Sequence, residues 1–358
     1  MADEVSRAAP YLEADALARI FSVEEFEPLA RDRMPIEGYS FIAGWAGSGA
    51  AARGNLEAYT RWRFRPRALV DVSRVDTSTT VLGRTISLPV LFAPTALHRF
   101  AHPEAELATA RAAEALGTTM IVSSGASVRF EEIGPALTAP WFQLYWFTDR
   151  GLTQELVTRA EASGFAAVCL TVDSPVEAWR EGEARLPPLP SPGVRSDNLP
   201  DRDLRNDPSL TWSSLAWLRS ITSLPILVKG VLTAEDARLA VDHGLDGIVV
   251  SNHGGRQLDW ALPTLDALPE IVEAVDGRLE ILMDGGIRRG TDVLKALALG
   301  ARAVLIGRPV LWGLGAGGTD GVLRMVELIQ GELVSAMGHC GVTSATDVPR
   351  AILARQDR

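Results

Sequence analysis

The sequence predicts an α/β fold, a (β/α)₈ TIM-type barrel behind an N-terminal helical extension. Two observations point there. Eight short β-branched, apolar runs recur between residues 88 and 318, separated by stretches rich in Ala, Leu, Glu and Arg. Glycines follow the helical stretches where a left-handed residue is wanted, at Gly117, Gly164, Gly244 and Gly300. The whole chain, 1–358, reads as one domain: extension 1–60, barrel core 88–318, and a long loop at 174–211.

In the extension, Glu13–Phe21 and Glu24–Arg33 are predicted helices, and Arg61–Leu88 a short hairpin or plug. The strands are Val90–Ala93, Met120–Ser123, Trp141–Tyr145, Ala166–Val172, Pro225–Lys229, Gly247–Ser251, Glu280–Asp284 and Ala303–Gly307. Most are apolar on both parities, as strands covered on both faces are. Between them the pattern predicts helices such as Pro103–Leu116, Leu152–Ser163, Ala234–His243 and Thr291–Leu299. Thr233 suits the N-cap of the third of these, with Glu235 and Asp236 in its first turn. A doubly wound sheet fits less well. Its first strand would lead into a glycine-rich loop, and here Pro94-Thr95-Ala96 follows. The gap after the fourth strand carries a Leu186–Pro192 run, LPPLPSP, read as a semi-rigid spacer in a mobile or lid-like loop.

With 35 Lys+Arg against 45 Asp+Glu, the formal charge of −10 argues against nucleic acid as a partner. A local arginine cluster can still hold a small anion. The two cysteines make no disulfide framework, and Cys169 reads as a reduced core residue. Charges throughout Met1–Ile20 leave no signal-peptide core. The longest uncharged stretch, Ile133–Thr148, is too short to span a bilayer and contains two prolines. A soluble, cytoplasmic protein without metal is expected.

Barrel chemistry collects at the C-terminal strand ends. Those ends are Thr95, Ser123, Gln143 and Tyr145, Thr171 and Asp173, Lys229, His253 and Arg256, Asp284, and Gly307-Arg308. Such a run of polar ends serves chemistry rather than packing. In Ser251–Asp259, SNHGGRQLD, an imidazole that can take a proton sits three residues from a guanidinium that can grip a carboxylate. Asp284–Asp292, DGGIRRGTD, and Ile306-Gly307-Arg308-Pro309 follow the last two strands, where barrels commonly hold phosphate. Lys229 in an apolar run needs an anion beside it, and the residues alone leave open a Schiff base or electrostatic stabilisation.

These segments, with Leu227–Val231, Phe142–Tyr145 and Ala93–Ala96, resemble the FMN-dependent 2-hydroxy-acid oxidase and dehydrogenase family. The resemblance runs from about Met34 to about Ala345. It implies FMN over the barrel mouth. Pro94, Thr95 and Ala96 would face flavin N5, and Ser123, Gln143 and Thr171 its polar edge. Ser251 joins the flavin ligands, and Lys229 would stabilise the anionic reduced ring. Asp284 would hold the ribityl chain, and Gly286, Arg288, Gly307 and Arg308 the phosphate. Arg180 and Arg256 would clamp the substrate carboxylate with Tyr145, and His253 would be the base, backed by Asp173.

The sequence departs from the family pattern at Phe41, where many members carry a substrate-contacting tyrosine, and at Trp45, where a small residue is common. It departs again at Gly125, where glycolate oxidase has a bulky aromatic. The freed space favours an aryl or long-chain substrate, such as mandelate or 4-hydroxymandelate, over glycolate. Ala96 favours molecular oxygen as acceptor, giving hydrogen peroxide; an FMN-dependent dehydrogenase or oxidative decarboxylase of a 2-hydroxy acid is the alternative. The resemblance also implies a homo-oligomer, often a tetramer in this family. From another class, a Schiff-base aldolase using Lys229 remains open.

Overall fold

The structure is a computed structural model describing residues 10–185, 194–201 and 204–356. The LPPLPSP run lies outside the described residues. Eight strands form one parallel sheet: β1 Val90–Phe92, β2 Ile121–Ser123, β3 Trp141–Leu144, β4 Ala167–Thr171, β5 Ile226–Val231, β6 Gly247–Val250, β7 Glu280–Met283 and β8 Ala303–Ile306. β8 pairs with β1 through Val304↔Val90 and Ile306↔Phe92. A Phe92↔Met120 bridge joins β1 to the start of β2 and closes the barrel. Each predicted strand is present; seven are one or two residues shorter than expected, and β5 runs on past Lys229 to Val231 through a bulge.

The helices that cover the barrel are α1 Ala105–Ala115, α2 Phe130–Ile133, α3 Arg150–Ala162, α4 Leu215–Ile221, α5 Ala234–Asp242, α6 Thr264–Val275, α7 Gly290–Ala298 and α8 Arg308–Cys340. The Thr233 hydroxyl accepts the Asp236 N–H at 3.2 Å and caps α5. Gly117, Gly164, Gly244 and Gly300 all adopt positive φ. α8 is kinked at Gly317–Gly318.

Two apolar clusters form. Val90, Phe92, Val122 and Val168 pack outward against the helices. Leu91, Ile121, Cys169, Leu227, Val249 and Leu305 fill the interior. Burial there pushes the Cys169 thiol up to about 12, so it is an inert core residue. The hairpin Thr79–Val81/Arg84–Ile86 sends Val81 and Ile86 into that same inner cluster, as the predicted plug requires.

The extension differs from expectation in detail. The first predicted helix shrinks to Ala14–Leu17, and the second divides into a 3₁₀ turn, Val23–Glu25, and a helix, Phe26–Arg31. Two further helices, Ile36–Ala43 and Ala50–Thr60, complete it. The 174–211 loop is not structureless either. It holds a short helix, Glu181–Ala184, and an antiparallel Phe147↔Asn206 bridge.

Candidate active site

Side chains alternate along a strand, so every second residue faces the barrel axis. The inward columns begin with Ile121, Cys169, Leu227, Val249 and Leu282 in the inner cluster. Two residues further on they reach Ser123, Thr171, Lys229, Ser251 and Asp284, all buried. One more step brings Asp173 and His253. The apolar interior thus turns polar at the mouth, under a cavity of about 340 Å³.

Its walls on one side are Tyr145, Arg180, His253 and Arg256. His253 Nδ1 lies 3.0 Å from Asp173 Oδ1, leaving Nε2 as the ring nitrogen free for a proton. Burial lowers the His253 pKa, Lys229 and Arg256 add to that, and Asp173 opposes it without winning. The imidazole is therefore neutral near pH 7. Burial raises Asp173, but His253 and Lys229 outweigh it and the carboxyl lies below its ordinary value. Gly230, in the β5 bulge at φ +115°, makes this contact possible, since a Cβ there would fall 2.5 Å from that of Asp173.

Arg256 donates through Nη1 to the carbonyls of Phe41 and Gly44 at 2.6 and 2.9 Å, and its guanidinium lies 5.2 Å over the Phe41 ring. Arg180 Nε donates to the Arg256 carbonyl at 3.1 Å. Burial and the Asp173 charge raise the Tyr145 pKa, so its hydroxyl keeps its proton.

Lys229 Nζ sits at the centre, 2.8 Å from Ser251 Oγ and 3.0 Å from Asp284 Oδ2. Burial opposes its charge, but Asp284 and Asp173 prevail and hold its pKa above the ordinary lysine value. A Schiff base requires the free amine, so this pairing speaks against aldolase chemistry. Beside it, Ser123 donates to Gln143 Oε1 at 3.0 Å, and Gln143 Nε2 donates to Thr171 at 2.9 Å. This hydrogen-bonded row crosses β2, β3 and β4; Ser123 alone of the three lines the cavity.

The opposite side is lined by Gly286, Arg288, Gly307 and Arg308. Arg308 donates to the carbonyls of Ile42, Gly254 and Gly44. Burial, with Arg256 and Arg288 nearby, brings its pKa down to about 9. Burial lowers Arg288 as well. Among the described residues neither guanidinium has a carboxylate within ion-pair distance. Two such cations on one cavity wall call for an anion. The N–H groups that lead into α7 are already taken within the chain. Asp292 accepts the N–H groups of Arg288 and Arg289, and Glu332 that of Gly290.

The profile of the FMN-dependent dehydrogenase family matches residues 30–355. The chain belongs to that family. It is 46% identical to a peroxisomal (S)-2-hydroxy-acid oxidase of Oryza sativa subsp. japonica over 94% of this chain and 97% of the relative. It is 44% identical to an L-lactate oxidase of Nostoc sp. over 94% and 99%, and 46% identical to glycolate oxidase of Spinacia oleracea over 94% and 96%. A mandelate oxidase variant solved with (S)-mandelic acid superposes with a TM-score of 0.88 at 45% identity, covering 94% of this chain and 98% of that one.

The cofactor of the family, FMN, fits what the cavity offers. Among the described residues Asp284 Oδ1 is buried without a partner, ready for a hydroxyl. The Arg288–Arg308 wall lacks a counter-anion, and a phosphate supplies one. Gly286, at φ +79°, lines the cavity while its turn packs on the Asn55 backbone, where a Cβ would meet the Asn55 carbonyl at 2.4 Å.

Not every expected residue reaches the cavity. Gly125 is set back beside Ala96, whose Cβ would lie 3.1 Å from one placed at 125. Trp45, one of the departures from the family pattern, is exposed. Two supporting residues escaped the sequence reading. Asn55 and Asn252 exchange side-chain amide bonds at 2.8 and 2.9 Å, fixing the His253 loop to the extension. Glu183, in the short helix of the long loop, bonds both arginines. Asn55 shares a helix face with Ala51, Ala58 and Tyr59, and a polar side chain on that otherwise apolar stripe was the available signal. Nothing local marked Glu183 among the loop's other charges.

Proposed function

We propose that this protein oxidises an (S)-2-hydroxy acid to the 2-oxo acid with molecular oxygen as acceptor, and that the substrate carries an aryl or similarly bulky side chain. The observation that carries this reading is the neutral His253 imidazole, backed by the Asp173 carboxylate, in one cavity with Arg180, Arg256 and Tyr145. Arg180 and Arg256 would bind the carboxylate through N–H groups that their protein contacts leave over, and Tyr145 would hydrogen-bond the same end. His253 Nε2 would take the proton, from the hydroxyl or from Cα, and Asp173 would stabilise the resulting imidazolium. Lys229, fixed as an ammonium, would face the ring's N1/O2 edge, with Ser123, Gln143, Thr171 and Ser251 nearby. Asp284 would take the ribityl chain, and Gly286, Arg288, Gly307 and Arg308 the phosphate. Pro94, Thr95 and Ala96 would line the N5 edge. FMN supplies the two-electron acceptor when bound. Overall the hydroxy acid loses two electrons and two protons, and oxygen takes them up as hydrogen peroxide.

The aryl preference is supported by the apolar ring of Phe41, which lines the cavity, and by the likeness to a mandelate oxidase; Gly125, set back behind Ala96, does not contribute. The names of the relatives include glycolate and lactate oxidases, so the preference needs its own measurement. A panel of hydroxy acids under air, with peroxide and oxo acid both assayed, provides it. A kcat/KM for glycolate at least equal to that for mandelate refutes the aryl preference. Turnover with an artificial acceptor but no peroxide would make the enzyme a dehydrogenase, and loss of carbon dioxide a decarboxylating one.

Among the described residues no helix is long and apolar enough to cross a membrane. We place the chain in the cytoplasm as a homo-oligomer, up to a tetramer, a reading supported by the exposed rings of Trp179 and Trp260. The plant relative cited first is named as peroxisomal, so imaging of a tagged chain and light scattering test both points.

A further inference from the structure

We propose that Glu183 is a positioning residue that holds the two substrate-binding arginines as one unit. The assignment rests on the reading that Arg180 and Arg256 bind the substrate carboxylate. Glu183 Oε1 lies 3.0 Å from Arg256 Nη2, and Oε2 lies 3.1 Å from Arg180 Nη1. One carboxylate thus bridges two like charges that burial and mutual repulsion would otherwise drive apart. It does so from behind, for both guanidiniums line the cavity and Glu183 does not.

The bridge sets which donors face the substrate. Arg256 spends Nη1 on the Phe41 and Gly44 carbonyls and part of Nη2 on Glu183. Arg180 spends Nε on the Arg256 carbonyl and part of Nη1 on Glu183. Among the described residues this leaves Arg180 Nη2, Arg256 Nε and the second N–H of Arg180 Nη1 and of Arg256 Nη2 for a ligand. Glu183 also packs against the extension, because a Cβ on Gly44 would meet its Oε1 at 2.9 Å. The long loop is thereby tied to both the clamp and the residues around 44. Two guanidiniums, one Glu183 carboxylate and one substrate carboxylate sum to zero charge, a balance that favours a single bound anion.

In Glu183→Gln an amide N–H replaces one acceptor and confronts a guanidinium, so one arginine is released. The FMN-loaded variants are assayed with the hydroxy acid of highest kcat/KM in the panel, and binding of its 2-oxo product is read from the flavin absorbance. Glu183→Gln should raise KM by roughly tenfold to a hundredfold. Product binding should weaken in parallel, with kcat within about threefold. Glu183→Asp, which keeps the charge on a shorter stem, should recover part of the loss. An unchanged KM, or a fall in kcat alone, overturns the assignment. A lower KM overturns it too, since Glu183 would then be competing with substrate. Arg180→Met and Arg256→Met serve as reference. If both raise KM while Glu183→Gln does not, only the Glu183 inference fails. If neither does, the carboxylate reading fails and takes the inference with it.

Discussion

The two walls of the cavity solve opposite electrostatic problems. On the wall after β4, β5 and β6, each charge has a partner within the chain: His253 has Asp173, Lys229 has Asp284, and Arg180 and Arg256 share Glu183. On the wall after β7 and β8, Arg288 and Arg308 have backbone carbonyls but no carboxylate in ion-pair range among the described residues. The paired wall is preorganised without ligand, as a reacting centre must be. The unpaired wall carries its electrostatic cost until an anion arrives. Chemistry belongs to the first and retention of a phosphate-bearing cofactor to the second.

If that division is right, substitutions on the two walls separate turnover from cofactor affinity. The largest expected effect is His253→Ala, which removes the base and no cofactor ligand. A fall in kcat of about 10⁴-fold or more is expected with the flavin content of the purified protein intact. Substantial remaining activity would show that another group takes the proton. Next is Arg256→Lys. An ammonium cannot reproduce contacts to two carbonyls, Glu183 and a substrate at once, so kcat/KM should fall about a hundredfold despite the conserved charge. Equal kcat/KM in the two proteins would dissolve the clamp.

The unpaired wall yields a smaller and different effect. Among the described residues the Arg288 guanidinium makes one hydrogen bond, to the Ile287 carbonyl at 2.8 Å, whereas that of Arg308 satisfies three carbonyls. Arg288→Met should weaken FMN binding about tenfold to a hundredfold. It should leave the melting temperature of the flavin-free protein level or higher, because a poorly compensated charge is gone. Arg308→Met should lower both, since three acceptors lose their donor. Titration of flavin-free protein with FMN, followed by fluorescence, and thermal melts read the two quantities separately. Equal losses of stability in both variants would deny that the wall is under electrostatic strain.

The two walls were not equally legible in the sequence. His253, Arg256, Lys229 and Asp284 stand at or just past strand ends, where a buried run stops and a polar side chain follows; parity brings Lys229 and Asp284 to the mouth, and the 3₁₀ turn after β6 brings His253 and Arg256 there. Arg288 and Arg308 were legible through the glycines beside them. The sequence could not show that Asp292 caps α7 from within, because the capping carboxylate also fits a phosphate-facing turn. Asn55 and Glu183 lay beyond reach for a different reason. Each acts across a long separation, Asn55 on Asn252 and Glu183 on Arg256, and no local periodicity encodes such a meeting. The two helices Ile36–Ala43 and Ala50–Thr60, which deliver Asn55 and the carbonyls that hold Arg256, were equally hidden inside a region read only as extension.

The smallest effect concerns pH, and its sign tests the paired wall directly. His253 acts as a base only when neutral, and its pKa in the folded protein lies below the ordinary imidazole value. The logarithm of kcat/KM should therefore be flat around pH 7 and decline on the acid side, through an apparent pKa under ~6.5. Burial sets the direction and Asp173 limits it, since the carboxylate alone would move the imidazole the other way. In Asp173→Asn the opposing charge is gone while burial, Lys229 and Arg256 remain. The acid limb should then shift to still lower pH, even as kcat drops because the imidazolium formed in turnover has lost its anion. A base in bulk water would show no such shift. A limb moving to higher pH in Asp173→Asn would mean that the Asp173–His253 pair does not control the titrating group, and the division between the two walls would lose its strongest support.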